Sequence, residues 1–250
     1  PYMVEEGVMN NPKVDAIFGL HAWPGAIGTA HYRSGPMMAA AERMRITVTG
    51  VQTHGAVPWG GVDPIVVSSQ IVNALQTIVA REVDITKVPA IVTIGSIHGG
   101  VRNNIIPEEV VMEGTIRTFN DDVRQQIHAS IRNKVEMIAA ASGAEAKLEI
   151  FSGIAKVTYN EPSLTEQMLP SLRRVYGEEN VMVRPFVTGA EDFPFFTDHA
   201  PGLYFFNGVA VDPSQASSNH SPYFFADERN LKFGMKSMAQ LAVDYLYLNQ

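Results

Sequence analysis

"RMRITVTGVQTHGAVPWGGVDPIVVSSQIV", residues 43–72, changes its hydrophobic period midway. Up to Thr49 the side chains alternate, with Met44, Ile46 and Val48 on one face and Arg45, Thr47 and Thr49 on the other. That two-residue period belongs to a strand with one buried face. After a glycine-punctuated loop, Asp63-Pro64 supplies an N-cap followed by proline at the first helical position. Val67, Ile71, Ala74, Leu75 and Ile78 then recur at helical spacing. Further along, residues 90–97 are rich in β-branched side chains, and a second strand over 110–119 follows the turn "NNIIPEE". Asp121 is expected to cap a helix carrying Val123, Ile127, Ile131, Val135 and Ile138, which Ser142-Gly143 stops. Ala146, Leu148 and Ile150 alternate with charge in a last strand. The order β-α-β-β-α-β predicts a ferredoxin-like unit over residues 39–155, with a spare sheet edge that invites a partner.

Residues 1–38 and 156–250 read as the second part of an α/β fold, an open-sheet domain into which the smaller unit is inserted. "PYMVEEGVMN" reads as a helix already under way. "DAIFGLHAWPG" (15–25) predicts a buried strand that delivers His21 and breaks at Pro24-Gly25. Pro162 opens a helix with Leu164, Met168, Leu172 and Val175 inward. Residues 181–183 and 202–209 read as buried strands. Asp227 is expected to start a final helix carrying Leu231, Met238, Leu241, Tyr245 and Leu246.

Composition narrows the classes of function. Nineteen Lys and Arg against 26 Asp and Glu give a net charge of −7, which argues against nucleic acid and anionic membranes as partners. No apolar run approaches the roughly 18 residues needed to span a bilayer. The absence of cysteine excludes disulfides, thiol nucleophiles and thiolate ligands.

The chemistry then falls to seven histidines. His31 and His199 read as surface or core residues, His128 as an exposed mid-helix residue, and His98 as part of a turn beside two glycines. His21 and His220 sit in loops or strand ends of the α/β part, where open sheets bind ligands, and neutral imidazoles suit divalent metals. On spacing alone, two unrelated loop histidines fit equally well. His54 lies in the loop of the inserted unit, where it is either a turn residue or a donor reaching over a cleft.

Together "GLHAWP", "VTGVQTHGAVPWGGVDPIVVSSQIV", "NNIIPEEVVMEGTIRTF", "TGAEDFPFF" and "NHSPYF" resemble, in order and spacing, the dinuclear metallo-amidohydrolases. These are the clan MH metallopeptidases that include aminoacylase, hippurate hydrolase, carboxypeptidase G and the auxin–amino acid conjugate hydrolases. The resemblance implies hydrolysis of the amide bond of N-acyl-amino acids by a metal-bridging water. It implies two divalent ions (Zn, or Mn, Co or Ni), with His21 a ligand of one and His220 of the other. His54 matches the lid histidine that, in the family, completes the active site of the neighbouring subunit and polarises the substrate carbonyl. Asn104 matches a substrate-contacting lid asparagine, and Gly189 and Glu191 match a loop lining the pocket. It also implies a small-molecule substrate and a homodimer formed through residues 39–155.

The sequence departs from the family pattern in one respect. The histidine-aspartate motif and the proline-alanine-glutamate-glutamate motif, which bring further ligands and the general base, are not found; Glu5-Glu6 lacks the preceding proline and alanine. The chain is therefore expected to begin downstream of them, to hold metal weakly at most, and to be inactive by itself. The default compartment is the cytoplasm, since any targeting signal would precede residue 1. A non-catalytic dimerisation or binding module is the alternative from another class. Among enzymes, a dipeptidase or carboxypeptidase of the same family is the nearest rival.

Overall fold

The computed structural model describes residues 2–250, the side chain of Ile154 excepted. It opens with α1 (Tyr2–Glu5), β1 (Ile17–Ala26), β2 (Ala30–Tyr32), β3 (Gly35–Met38), β4 (Ala40–Thr49) and β5 (Thr53–His54). There follow α2 (Pro64–Thr77), β6 (Ala90–Gly99), β7 (Ile105–Ile106), β8 (Glu109–Thr118), α3 (Asp121–Ala141) and β9 (Glu145–Ala155). The chain closes with β10 (Thr158–Asn160), α4 (Pro162–Tyr176), β11 (Val181–Val183), α5 (Pro194–Thr197), β12 (Gly202–Ala210) and α6 (Leu231–Leu248). Two compact units result. One is Ala39–Val157 with Thr188–Ala190, and the other is built from the segments on either side, up to Met38, Thr158–Val187 and Glu191–Gln250.

The inserted unit is a four-stranded antiparallel sheet in the order β6-β8-β4-β9. The alternation of β4 puts Met44, Ile46 and Val48 into a core with Val67, Ile71, Leu75 and Ile78 of α2 and its continuation. Ile127, Ile131 and Val135 of α3 fill the same core. Asp63 caps α2 by accepting the amides of Ile65 and Val66. The cap of α3 is Asn120, which accepts from Val123. Asp121 therefore stands at the first helical position, where its charge meets the positive end of the helix dipole.

His128 also departs from its sequence reading. It is not an exposed helix residue: its Nε2 lies 2.6 Å from Oε2 of Glu42, and Glu42 is only 3% exposed. Ser152 donates to the same carboxylate at 2.6 Å, and Arg124 approaches at 3.5 Å. A strand and a helix 86 residues apart meet here through one buried charge, and spacing within either element gives no sign of it.

In the other unit the sheet order is β1-β12-β2-β11, with β1 parallel to β12 and β2 antiparallel to it. β12 is buried at every position because both its edges and both its faces are covered, the condition that yields an unbroken apolar strand. Leu203 and Phe205 face Leu164, Met168 and Leu172 of α4 and Leu241 of α6. Tyr204 and Phe206 face Met37, Met38 and Phe193 on the opposite side.

β1 corrects two expectations. It is half-buried throughout, not buried, and it continues past Pro24-Gly25 to Ala26. An edge strand tolerates proline, and the pairing with β12 shifts register between Trp23 and Ala26. His21 is thus a mid-strand residue. β11 is likewise an edge strand that grades from buried Val181 to exposed Val183. The last helix begins at Leu231; Asp227 caps a short 3-10 turn, Glu228–Asn230, ahead of it. α1 ends at Glu5, short of the helix expected over the first ten residues. Among the described residues, no helix is long and apolar enough to cross a membrane.

Candidate active site

The "FGLH" of β1 carries His21 on a floor of aromatic rings. Gly19 is required two residues earlier, since a Cβ there would lie 2.6–2.7 Å from the rings of Tyr204 and Phe193. His21 stands edge-on to Trp23 at 6.4 Å and to Phe206 at 6.0 Å between centroids, and these two rings are themselves 4.3 Å apart.

The polar contacts of His21 are informative about its tautomer. Nδ1 lies 2.6 Å from the carbonyl of Ala22, which can only accept, so Nδ1 bears a proton and Nε2 is the nitrogen left for another partner. Nε2 in turn faces Oε1 of Glu191 at 3.4 Å. An imidazole nitrogen and a carboxylate that face each other can both ligate a cation held between them. The donor set at this point, one imidazole and one carboxylate, therefore fits a divalent metal. Among the described residues, no group of three or more His, Asp or Glu side chains is gathered in metal-binding proximity.

Glu191 has a second partner. The hydroxyl of Tyr204 hydrogen-bonds to it; burial first, and then the Glu191 charge, push the Tyr204 pKa well above the ordinary phenol value. The tyrosine stays protonated and holds the carboxylate in place. Tyr204 is itself held by Asn160. The Asn160 side chain accepts the Tyr204 amide at 2.6 Å and donates to the Tyr204 carbonyl at 2.8 Å and to that of Arg33 at 2.9 Å.

His220 is exposed and adopts a positive φ of 66°, a conformation in which histidine is enriched among non-glycine residues. Its neighbour Asn219 donates to the carbonyl of Ala22 at 2.9 Å. One hydrogen bond thus ties the residue before His220 to the residue after His21, across 197 positions of sequence. The structure joins the two backbone segments and leaves the imidazoles without a direct contact.

Two residues on this face were given no functional role by the sequence reading, His31 having been read as a surface or core residue. The Arg184 guanidinium lies over the Trp23 ring at 4.2 Å and the Phe206 ring at 5.0 Å. His31, half-buried in β2, has Nε2 3.2 Å from Thr29 Oγ1. Burial and then the Arg184 charge push the His31 pKa down, so the ring is neutral at physiological pH. Neither "AHY" nor "VRPF" carries a motif, and only the pairing of β2 with β11 brings them together.

The remaining candidates lie in the inserted unit. His54 pairs with Ile105 between β5 and β7, and the Gly55 amide donates to the Asn104 carbonyl at 2.8 Å. The Ala56 amide donates to His54 Nδ1 at 3.0 Å, which leaves the proton on Nε2 of an exposed ring. Gly189 accepts the Ala39 amide at 3.0 Å. His98 and His199 are exposed.

Comparison with known proteins completes the picture. Thermostable carboxypeptidase 2 of Saccharolobus solfataricus is 36% identical over 247 residues, which is 97% of this chain and 61% of that protein. N-acetyl-L-cysteine deacetylase of Bacillus subtilis is 36% identical over 227 residues, or 90% of this chain and 52% of the relative. Among solved structures, Bacillus subtilis YxeP, a dinuclear metal binding peptidase from the M20 family, superposes with a TM-score of 0.76 at 29% identity. That match covers 98% of this chain and 60% of that one. The chain thus spans about half to three-fifths of the length of these relatives. Residues 1–244 match the family described as Peptidase family M20/M25/M40, and the chain belongs to that family.

Proposed function

We propose that these residues form part of a metal-dependent hydrolase that cleaves the amide bond of N-acyl-amino acids. The observation that carries this reading is His21 Nε2 facing Oε1 of Glu191 at 3.4 Å, with the His220 loop hydrogen-bonded to the residue beside His21. His21 and His220 would hold the metals, two divalent ions (zinc, manganese, cobalt or nickel), and Glu191 adds a carboxylate to the His21 side. When bound, such ions activate water and polarise the substrate carbonyl. Tyr204 keeps Glu191 in position. His54, with its proton on Nε2, suits a donor to the carbonyl oxygen, and Asn104 and Gly189 would contact substrate.

The inserted unit, residues 39–155, acts in this reading as a ferredoxin-like lid through which two copies pair. The outer strands β6 and β9 of its sheet, each paired on one side only, support that role, since an unpaired sheet edge is open to a partner. An N-acyl-amino acid is preferred to a dipeptide because the "HSP" context resembles the acyl-amino acid branch. The compartment we infer is the cytoplasm.

Two assays test this reading. In this reading the 250 residues contribute His21, Glu191 and His220 between two ions, against the four ligands each zinc typically takes. The chain alone is therefore expected to turn over N-acetyl-amino acids no faster than metal-containing buffer, and appreciable metal-dependent turnover would contradict this incomplete ligand set. Grafted in place of the matching region of thermostable carboxypeptidase 2, the same residues are expected to release free amino acid, with loss of activity in EDTA. A folded, metal-loaded chimera that releases none would overturn the hydrolase reading.

A further inference from the structure

Three strands set a histidine beside an arginine. His31 and Phe206 are register partners on β2 and β12, and Met182 of β11 pairs with His31 from the other side. Partners across an antiparallel pair share a face, with Cβ atoms about 5 Å apart. Arg184 follows directly on β11, and its guanidinium lies over the Phe206 ring at 5.0 Å and the Trp23 ring at 4.2 Å. Phe206 thus borders both basic side chains, and both are half-buried.

Hydrogen bonds decide where His31 can take a proton. Thr29 Oγ1 donates its one proton to the Ala26 carbonyl at 2.7 Å. Towards His31 Nε2, at 3.2 Å, it can therefore only accept. Nε2 bears the proton of the neutral ring, and Nδ1 is the nitrogen that titrates. Protonation leaves the bond to Thr29 in place and adds one positive charge. Burial, and then the Arg184 charge, already hold the His31 pKa below the ordinary histidine value of 6.5.

Nothing nearby offsets that charge. Around His31, β1 presents Gly25, β12 presents Phe206, β11 presents Met182 and the turn ahead of β2 presents Thr29. None of these titrates, and Arg184 is the charged group that acts on the ring. The ion pairs formed among the described residues involve neither His31 nor Arg184. A proton on His31 therefore sets two cations on one half-buried face with no carboxylate between them.

The two groups are not equally free to move apart. His31 sits in a strand paired on both sides, with its ring tied to Thr29. The Arg184 backbone is held by its amide, which donates to the Tyr32 carbonyl at 2.7 Å. Its guanidinium rests on the two rings, an attachment weaker than a buried ion pair. We propose that His31 and Arg184 form an acid-operated release, in which a proton on His31 sends the Arg184 guanidinium from the Trp23–Phe206 floor into solvent. At neutral pH the guanidinium stays and covers the two rings that flank His21. The device needs only this sheet and stands apart from the hydrolase reading.

The floor carries its own reporter. Trp23 is one of two tryptophans, and the other, Trp59, is 83% exposed in the inserted unit. The full chain bearing Trp59→Phe is titrated from about pH 8 to about pH 5, the range in which histidine changes charge. Trp23 emission and the NMR signals of the His31 ring are followed together. The expected His31 midpoint lies below 6.5, and Trp23 emission changes with the same midpoint. His31→Gln keeps an N–H for Thr29 without a titrating group, and is expected to lose that step. Arg184→Met, which keeps the packing on Trp23, is expected to lose the emission step and to raise the His31 midpoint by at least ~0.5 pH unit. Arg184→Lys, which retains the charge, should leave the midpoint low.

His21 stands beside the same tryptophan, so only an emission step that His31→Gln removes counts in favour. The unfolded chain takes this proton at the ordinary value, so the unit should also lose stability as the pH falls below 6.5, and His31→Gln should lose less. A His31 midpoint at or above 6.5, or one unmoved in Arg184→Met, would overturn the proposal. So would the absence of a Trp23 step at that midpoint, or a step that persists in His31→Gln.

Discussion

Asn160→Ala is expected to destabilise the unit containing β12 by about 3 kcal/mol, mostly through the backbone of Tyr204. β2 pairs with β12 only at Phe206 and Asn207. At Tyr204, N–H and C=O are instead met by the Asn160 side-chain amide, which accepts from one and donates to the other. The amide acts as a substitute strand residue, and Asn160 is fully buried. Alanine would leave a buried N–H and two carbonyls without these partners, and each unsatisfied buried group costs about 1–3 kcal/mol. Asn160→Asp should be worse, because a carboxylate oxygen would replace the donor facing two carbonyls.

Urea unfolding followed by Trp23 emission in the Trp59→Phe background reads this unit, which matters because two units need not unfold as one. A change below about 0.5 kcal/mol would contradict the accounting. The effect also reaches the site, since Asn160 holds Tyr204, Tyr204 holds Glu191, and Glu191 faces His21.

Glu42→Ala should lower the stability of the inserted unit by about 3–5 kcal/mol, the range for removing one member of a buried charged cluster. Glu42 gathers Ser152, His128 and Arg124 around a carboxylate with a side-chain exposure of 2%. Without it, the half-buried His128 and Arg124 lose their shared counter-charge, although Arg124 keeps Asp121 at 3.0 Å. Replacing the cluster together, as Glu42→Leu with His128→Phe and Arg124→Met, should recover much of the loss, because the solvation penalty disappears along with the attraction. Hydrogen exchange of the amides of β4 and α3 under urea follows this unit. A single substitution as costly as the combined one would mean that packing, not charge, dominates there.

The legibility of the sequence followed the range of the forces involved. The alternation of β4 and the Asp63-Pro64 start of α2 are local, and they stand in the structure within a few residues of where the pattern puts them. The Pro24-Gly25 reading failed because a proline signals a missing donor and says nothing about whether that donor faces a neighbour. On the edge strand β1, at a shift of register, none is required. His128 was misplaced because its helix contains no hint of a carboxylate lying on a strand 86 residues away. Asn160 carries no pattern of its own in the sequence, and its role exists only because β2 is too short to cover Tyr204. Arg184 was hidden for the same reason, since its partners Trp23 and Phe206 lie on two other strands. The motifs around His21 and His220 were visible in sequence, whereas the hydrogen bond from Asn219 to Ala22 that links their segments was not.

The account depends on His21 and His220 serving one metal centre. The most direct test is the metal content of the chimera, by elemental analysis after loading and desalting, for the parent sequence, His21→Ala and His220→Ala. The expected result is about two divalent ions per chain in the parent and one or fewer in each variant, since neither ion retains its ligand set without its imidazole. Metal content equal to the parent in either correctly folded variant would remove that histidine from the centre and contradict the account.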